Sequence, residues 1–162
     1  MAVINSSPLT ALGKIGKLEL LHKIFDKVAI TEQVYKEILS KPTYEEAIAV
    51  KKAVEDGKWL KVEKSNETSA LIGVGEASSI GLAIKLKQPL IIDDRKAAFI
   101  AGTFGAECHG TLYIILEALK RRLIRNKKEA IDVVNQLVSN NLYISAETLA
   151  EFYSLLEKIK IQ

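Results

Sequence analysis

The chain has 162 residues, a length that suits one domain with one sizeable core. Hydrophobic residues make up 48% and charged residues 27%, as in ordinary soluble globular proteins, and no apolar run reaches the roughly 18 residues that a membrane span needs. The formal net charge of +3 permits a polyanionic partner without requiring one. A single cysteine, Cys108, excludes an internal disulfide and fits a reducing cytoplasm, where we expect the protein, and the first residues predict no signal peptide.

Apolar periodicity and turn residues predict an alternation of short strands and amphipathic helices along the whole chain. The predicted strands are 2–4, 28–30, 59–62, 90–92 and 106–109. The predicted helices are 8–13, 18–25, 32–40, 43–56, 76–87, 95–104, 111–123, 127–138 and 146–158. A polar stretch, 63–69, is predicted to be a flexible loop. We therefore expect one domain over residues 1–162, an α/β fold that forms a three-layer α/β/α sandwich around a mainly parallel sheet of about five strands.

Side chains at helix and strand ends sharpen this prediction. Ser7 is a good N-cap, with Pro8 at the first helical position, and Thr31 and Thr111 are expected to cap the helices that follow them. The central stretch, 73–99, reads as a helix, a turn at Gln88-Pro89 and a strand covered on both faces. Two aspartates follow that strand. In open parallel sheets, ligands bind beyond the carboxyl ends of the strands, so this edge is where a site is expected.

Oxygen-bearing side chains stand at positions that suit one pocket at that edge. Asn5 and Asp94 each follow a strand, and they meet if those strands are neighbours. Glu37 borders the apolar face of its helix, and Glu76 opens a helix among small residues. Asp93 is an adjacent candidate. Carboxylates that converge in this way repel one another unless a hard cation holds them, and Mg²⁺ or Mn²⁺ takes such an oxygen shell.

Each of these residues also has an ordinary structural explanation. Glu76 in a first helical turn is favoured by the helix dipole alone. Glu37 suits a solvated helix face, the Asp93-Asp94 pair suits a helix N-cap, and Asn5 suits a plain turn. The combination and its order along the chain favour a site more than any single member does.

Several other chemistries find little support in the sequence. The two histidines and the lone cysteine lack zinc spacing, and Cys108 and His109 should point to opposite faces of a strand. No phosphate-binding loop or dinucleotide fingerprint is present. Basic residues crowd 120–128, where a cationic helix end explains them slightly better than RNA binding does. Three tyrosines, Tyr113, Tyr143 and Tyr153, are predicted to be packing residues and not base-stacking platforms.

Five blocks of the sequence resemble successive blocks of the PIN domain family, closest to its prokaryotic branch related to VapC toxins. The blocks are VINSSPLTAL, VAITEQVYKEIL, GVGEASSIGLAIKL, PLIIDDRKAAFIAGTFG and HGTLYIILEALKRRLI. They cover about residues 1–125, and the C-terminal helices in 126–162 match less specifically. The resemblance implies a parallel-sheet fold and a Mg²⁺- or Mn²⁺-dependent ribonuclease with RNA as partner, and a homodimer and an antitoxin protein are further expectations.

Carried over by position, the resemblance implies a set of metal ligands, of which Glu37, Glu76 and Asp94 also carry the catalysis. The family's acidic positions fall on Asn5, Glu37, Glu76 and Asp94, with Asp93 beside them. The resemblance places Ser7 near the pocket. As candidates for RNA contact we name Ser7, Arg95 and Lys96, the last two because they follow Asp94 at the pocket rim.

Asn5 departs from the pattern, because an aspartate is usual at that position. An amide oxygen can bind Mg²⁺ but brings no charge, so metal affinity should fall and a second metal is disfavoured. Two main hypotheses follow: a metal-dependent endoribonuclease, with a VapC-like toxin as its more specific form, and a catalytically weak or inactive PIN-like module that binds RNA or a protein partner. A receiver-like domain phosphorylated on an aspartate ranks below both, because no lysine follows the strand at 106–109.

Overall fold

The computed structural model describes residues 1–65, 67 and 69–160. The strands are β1 (Ala2–Ile4), β2 (Val28–Thr31), β3 (Leu60–Glu63), β4 (Leu90–Ile91) and β5 (Cys108–His109). The helices are α1 (Ser6–Lys14), α2 (Glu19–Phe25), α3 (Glu32–Leu39), α4 (Glu45–Glu55), α5 (Val74–Leu86), α6 (Arg95–Thr103), α7 (Thr111–Lys120), α8 (Lys127–Ser139) and α9 (Ala146–Lys158). The predicted loop over 63–69 includes residues 66 and 68, which lie outside the described residues.

The five strands form one sheet in the order β3-β2-β1-β4-β5, and every pair in it is parallel. This confirms the predicted α/β class and five-stranded sheet. Central β1 pairs with both β2 and β4, through Ala2 with Val28 on one side and Val3 with Leu90 on the other.

Helices cover both faces of the sheet, because alternate strand residues point to opposite sides. Ala2 and Ile4 enter a large core with residues of α1–α4 and α7–α9. Val3 enters a smaller core with Ile80 of α5 and Ala97 of α6. No described helix combines the length and the apolar character that a membrane crossing requires.

Some predicted helix ends are confirmed, and others are wrong for identifiable reasons. The Thr31 hydroxyl caps α3, accepting the Val34 N–H at 3.2 Å, and α9 has the predicted bounds. The first helix instead begins at Ser6 with Asn5 at its N-cap, so Pro8 lies inside the first turn, where an N–H has no partner in any case. Thr111 is likewise the first helical residue of α7, after Gly110.

The break between α5 and β4 comes one residue before the predicted turn. Lys87 adopts the left-handed conformation, and the Gln88 N–H donates to the Ala83 carbonyl at 3.0 Å, which closes the last turn of α5. The prediction that Tyr143 is a packing residue is also wrong, because 85% of it is exposed. Tyr153 is exposed too, and Tyr113 is half-buried.

Candidate functional site

The carboxyl ends of β1 and β4 lie side by side, at the point where the strand order reverses. Ile4 is in register with Ile91, and the Asn5 N–H donates to the Ile91 carbonyl at 2.9 Å. The chain after β1 turns into α1, and the chain after β4 turns into α6. Diverging helices at such a switch point leave a crevice in which open α/β sheets bind their ligands. Asp93 and Asp94 line this crevice, and Asn5 follows β1 at the same edge of the sheet.

Asn5 and Glu37 direct oxygens toward the same small space beside Gly75. If Gly75 carried a Cβ, that atom would lie 3.0 Å from Glu37 Oε2 and 3.9 Å from Asn5 Oδ1. Asn5 is 2% exposed, and its Oδ1 accepts the Ser79 hydroxyl at 3.4 Å. Glu37 is exposed as a whole, and its Oε1 accepts the Ser6 hydroxyl at 3.3 Å. The structure therefore brings these two predicted site residues together.

A buried chain of hydrogen bonds fixes the helix that carries Glu37 against α5. The Ser78 hydroxyl donates to the Gly75 carbonyl at 2.9 Å, so its one proton is used there. The Thr31 hydroxyl, 2.8 Å away, must then donate to Ser78 Oγ while it accepts the Val34 N–H. Every donor in this chain has an acceptor. Because these hydrogen bonds join the start of α3 to the first turn of α5, they set the position of Glu37 relative to Gly75.

Glu76 lies in the first turn of α5 and lines the crevice together with Asp94. Its carboxylate folds back over Gly73, the N-cap residue, and fills the space that a side chain at Gly73 would need. A negative charge at a helix N-terminus is stabilised by the helix dipole. Glu76 therefore has the ordinary structural role considered above and also a position at the site.

The two consecutive aspartates have different partners. Asp94 Oδ1 accepts the Ala97 N–H at 2.7 Å and so caps α6, while the residue itself is exposed at the crevice. Asp93 accepts the Ser7 hydroxyl at 2.9 Å and two further hydrogen bonds from Thr111, at 2.7 and 2.8 Å. Asp93 thus links β4 to α1 and α7. The Ser7 hydroxyl therefore already donates its hydrogen to Asp93.

The two basic residues named as candidates for RNA contact both line the crevice. Arg95 Nη1 lies 3.3 Å from Glu147 Oε2 on α9, and both side chains are largely exposed. Lys96 is exposed beside it. The basic residues of 120–128 are different, since several pair locally: Lys120 with Glu117 at 2.7 Å and Arg125 with Glu129 at 3.2 Å. These local pairs favour the interpretation of that stretch as an ordinary helix end.

The Cys108–His109 pair is arranged as strand alternation predicts. Cys108 packs against the smaller core, and burial, followed by the nearby Glu107 carboxylate, raises the pKa of its thiol. The thiol therefore stays protonated at neutral pH and is a poor nucleophile. His109 Nε2 lies 2.7 Å from Glu107 Oε1, and the ring stacks on Tyr113, so both of these contacts are to groups other than the thiol. A cysteine nucleophile with a histidine base does not exist here.

The donor set allows a test of fit for a divalent cation. Within residues 1–65, 67 and 69–160, no three His, Cys, Asp or Glu side chains are grouped so as to hold a metal ion. The Asn5 and Glu37 oxygens nevertheless converge, and Mg²⁺ commonly uses only one or two carboxylates while keeping several waters and binding substrate phosphates. The chemistry of the residues therefore fits one hydrated ion that is completed by water and substrate, and it provides no closed cage.

Three residues that position the site were not anticipated: Thr111 as a partner of Asp93, Ser78 as the link to α3, and Gly75 as the space between Asn5 and Glu37. Thr111 carried a signal, since a hydroxyl residue at a helix start was recognised, but its acceptor lies 18 residues away in the chain. Gly110 also matters for this contact. A Cβ added at Gly110 would lie only 3.1 Å from Asp93 Oδ1, so the absence of a side chain there lets the carboxylate approach the start of α7.

The crevice continues into a cleft of about 840 Å³. Glu76, Asp93 and Asp94 lie at one end of it, and residues of α7, α9 and the connection before α9 form its other walls. Acidic, basic and aromatic side chains therefore share one continuous depression.

Comparisons with known proteins agree with this architecture. The family model DUF3368, described as a PIN domain, matches residues 1–158, a span that includes α8 and α9. A PilT N-terminus domain protein from the hyperthermophilic archaeon Sulfolobus solfataricus P2 has a similar fold, with a TM-score of 0.50 and 15% sequence identity over 89% of this chain and 96% of the other. No curated protein sequence matches the chain.

Proposed function

Because the chain belongs to the PIN-domain family, whose members are generally nucleases and typically depend on divalent metals, we propose that it is a Mg²⁺- or Mn²⁺-dependent endoribonuclease. One structural observation supports the proposal in addition to the family membership. The Asn5 and Glu37 oxygens converge beside Gly75, next to the switch point of the sheet, and Glu76, the residue after Gly75, lines the cleft together with Asp94.

In this proposal Glu37 would bind the cation, with the Asn5 amide oxygen assisting, and Glu76 and Asp94 would contact it through its waters or through the substrate. When bound, such an ion supplies a Lewis acid at the scissile phosphate and lowers the pKa of water. The chain's own residues do the rest. Lys96 and Arg95 offer positive charge to the phosphates, and Asp93, through Ser7 and Thr111, holds the edges of the crevice in place. A neutral Asn5 weakens the hold on the cation and disfavours a second ion.

The test is cleavage of a single-stranded RNA with Mn²⁺ by the wild type and by Asp94→Asn. Asparagine is as good an N-cap as aspartate, so the substitution removes the charge while α6 keeps its cap. We expect cleavage to need Mn²⁺ and to be abolished by Asp94→Asn or by EDTA. Asp132→Asn, at an exposed position of α8, should leave it unchanged. Cleavage that persists in EDTA or in Asp94→Asn would overturn the assignment.

A second candidate function is a module that binds RNA or a protein without cutting. Two observations favour it: Asn5 brings no charge, and Asp93 already accepts three hydrogen bonds. Thermal stability separates the two functions, since a ligand of the native state raises it. Stabilisation by Mn²⁺ that disappears in Glu76→Gln supports a metal site. If Mn²⁺ has no effect on the wild type, the binding module becomes the better account.

A VapC-like toxin is the more specific form of the first proposal, and its cognate partner would be an antitoxin protein. Expression of the wild-type chain should then arrest cell growth, and expression of Asp94→Asn at the same level should not. Equal growth in both cultures would remove the toxin role and leave the ribonuclease proposal to the cleavage assay.

A further inference from the structure

We propose that Tyr143, together with the stacked His109–Tyr113 pair, forms a stacking subsite for an unpaired nucleobase of an RNA strand. This inference rests on the proposed function. It assigns to the cleft the nucleotide next to the scissile phosphate, which the proposed reaction would place near Asp94. All three aromatic residues line the same cleft as Asp94. Base stacking on aromatic side chains is a general means of holding single strands, and it tolerates any base.

Tyr143 is held outward by its neighbours in sequence. Leu142 is buried in the large core, with its N–H bonded to the Leu137 carbonyl at 3.0 Å, and Ile144 packs partly against the same core. The segment is therefore anchored on both sides of a tyrosine that is 85% exposed. An isolated exposed aromatic residue needs no explanation. Here, however, the exposed ring borders a cleft that contains a second aromatic surface.

That second surface is the pair formed by His109 and Tyr113. Their rings are nearly parallel, with centroids 3.9 Å apart and an angle of 14° between the planes. Glu107 also holds the imidazole in place, because its Oε1 lies 2.7 Å from His109 Nε2 at the edge of the ring. Burial, followed by the Glu117 carboxylate, raises the pKa of the Tyr113 hydroxyl, which therefore stays uncharged at neutral pH. The cleft thus has flat, preorganised π surfaces without negative charge on the phenol.

Charged side chains of both signs line the cleft, which disfavours an apolar peptide, and two cations at the rim suit the phosphates of a nucleotide. Lys96 and Arg95 stand at its rim and suit phosphates. The Arg95–Glu147 pair is exposed on both sides, so it is weak and gives way to a phosphate at little cost. An apolar segment would cover Lys96 and Glu151 without offering either of them a partner. A nucleotide has a flat ring for the aromatic walls and an anionic phosphate for the rim.

This assignment requires a single strand. A base within a duplex must leave its stack before it reaches aromatic side chains, and that costs unstacking energy. We therefore expect single-stranded RNA to bind better than the same sequence in a duplex.

The experiment measures binding of a short single-stranded oligoribonucleotide containing the fluorescent base 2-aminopurine, with EDTA present to prevent cleavage. Tyr143→Ala should weaken binding by about tenfold and reduce the quenching that stacking causes. Tyr143→Trp should retain both. The matched control is Tyr44→Ala, which removes an exposed tyrosine outside the cleft and should change nothing. An abasic nucleotide should weaken binding to the wild type and have little further effect on Tyr143→Ala.

Equal binding by wild type and Tyr143→Ala, equal affinity for duplex and single strand, or no binding by the wild type would each overturn the subsite. So would a change of sedimentation behaviour in Tyr143→Ala, which would assign the ring to contacts between copies of the chain. The proposed function is tested independently of the subsite. Tyrosine-dependent binding without Mn²⁺-dependent cleavage supports the subsite and refutes the nuclease. Cleavage that is indifferent to Tyr143 refutes the subsite and supports the nuclease.

Discussion

Asp93 holds Thr111 through both of its carboxylate oxygens: Oδ1 accepts the Thr111 N–H at 2.7 Å, and Oδ2 accepts the Thr111 hydroxyl at 2.8 Å. The N-cap residue of α7, Gly110, has no side chain, so the cap comes from the segment that follows β4 instead of from the adjacent residue. Asp93 Oδ2 also accepts the Ser7 hydroxyl. One carboxylate therefore joins β4 to the start of α7 and to the first turn of α1.

Asp93→Ala should lower the free energy of unfolding by about 2 to 4 kcal/mol, because it removes a helix cap and leaves partly buried donors without their charged acceptor. Asp93→Asn keeps one acceptor oxygen and should cost less. Denaturant unfolding with a common slope measures the difference. Thr111→Ser, which retains both donors, is the control. A loss below about 0.5 kcal/mol in Asp93→Ala, the range of ordinary surface substitutions, would contradict this account.

Gly75→Ala should separate stability from activity. Alanine in a helix is favoured over glycine by up to about 1 kcal/mol, and this gain offsets the displacement of Glu37 Oε2, which would lie 3.0 Å from the new Cβ. Stability should therefore change little. The methyl group occupies the space between Asn5 and Glu37, so we expect Mn²⁺-dependent cleavage to fall by about 100-fold.

Gly102→Ala is the matched control for this substitution. Gly102 is also helical, in α6, and an added Cβ there meets nothing within 4 Å. The variant should gain stability and keep full activity. Full activity in Gly75→Ala would show that the space beside Gly75 is not used.

Asn5→Asp should make stability depend on a divalent cation. The new carboxylate is buried and faces Glu37 across the space beside Gly75, so without metal we expect a loss of about 1 to 3 kcal/mol. Mn²⁺ should restore the melting temperature in proportion to its binding. Asn135→Asp, at an exposed position of α8, should show no such dependence. A variant that melts identically in Mn²⁺ and EDTA would argue against a cation at this position.

The start of α8 should contribute a pH-dependent part of the stability. The Arg125 backbone N–H, followed by its guanidinium group, lowers the pKa of Glu129 below its ordinary value of 4.5. Since the folded pKa lies below the unfolded one, the contribution is complete above the unfolded pKa and is lost as the pH falls through the folded value. Unfolding midpoints of wild type and Glu129→Gln should differ at neutral pH and converge in acid. A constant difference would exclude this linkage.

Local features were predictable because their causes are local. The Thr31 cap, the bounds of α9 and the strand positions follow from residues that lie within a few positions of one another. The parallel sheet followed from their alternation. Long-range partners could not be predicted in this way. Apolar strands pair in many orders with similar burial, and the position of β1 between β2 and β4 depends on the whole packed structure.

The site shows the same division. Asn5, Glu76 and Asp94 were named from their places at the ends of elements, and Glu37 was named from its place beside the apolar face of its helix. The structure brings Asn5 and Glu37 together beside Gly75 and places Glu76 and Asp94 along the cleft. The engagement of Asp93 by Thr111 and the use of Gly75 as open space depend on contacts between distant segments. Tyr143 was misread because an apolar pattern cannot tell a ring that packs inward from one that is held outward by its neighbours.

The order of the strands has a consequence for synthesis. Of the five strands described, the one translated first lies at the centre of the sheet, and its partner on one side, Leu90–Ile91, is made only after β2 and β3. Asp94 and the aromatic residues of the cleft, His109, Tyr113 and Tyr143, come after that strand. A nascent chain thus holds Asn5 and Glu37 before it can complete the crevice, so any hydrolytic activity must await the synthesis of β4 and of the residues that follow it.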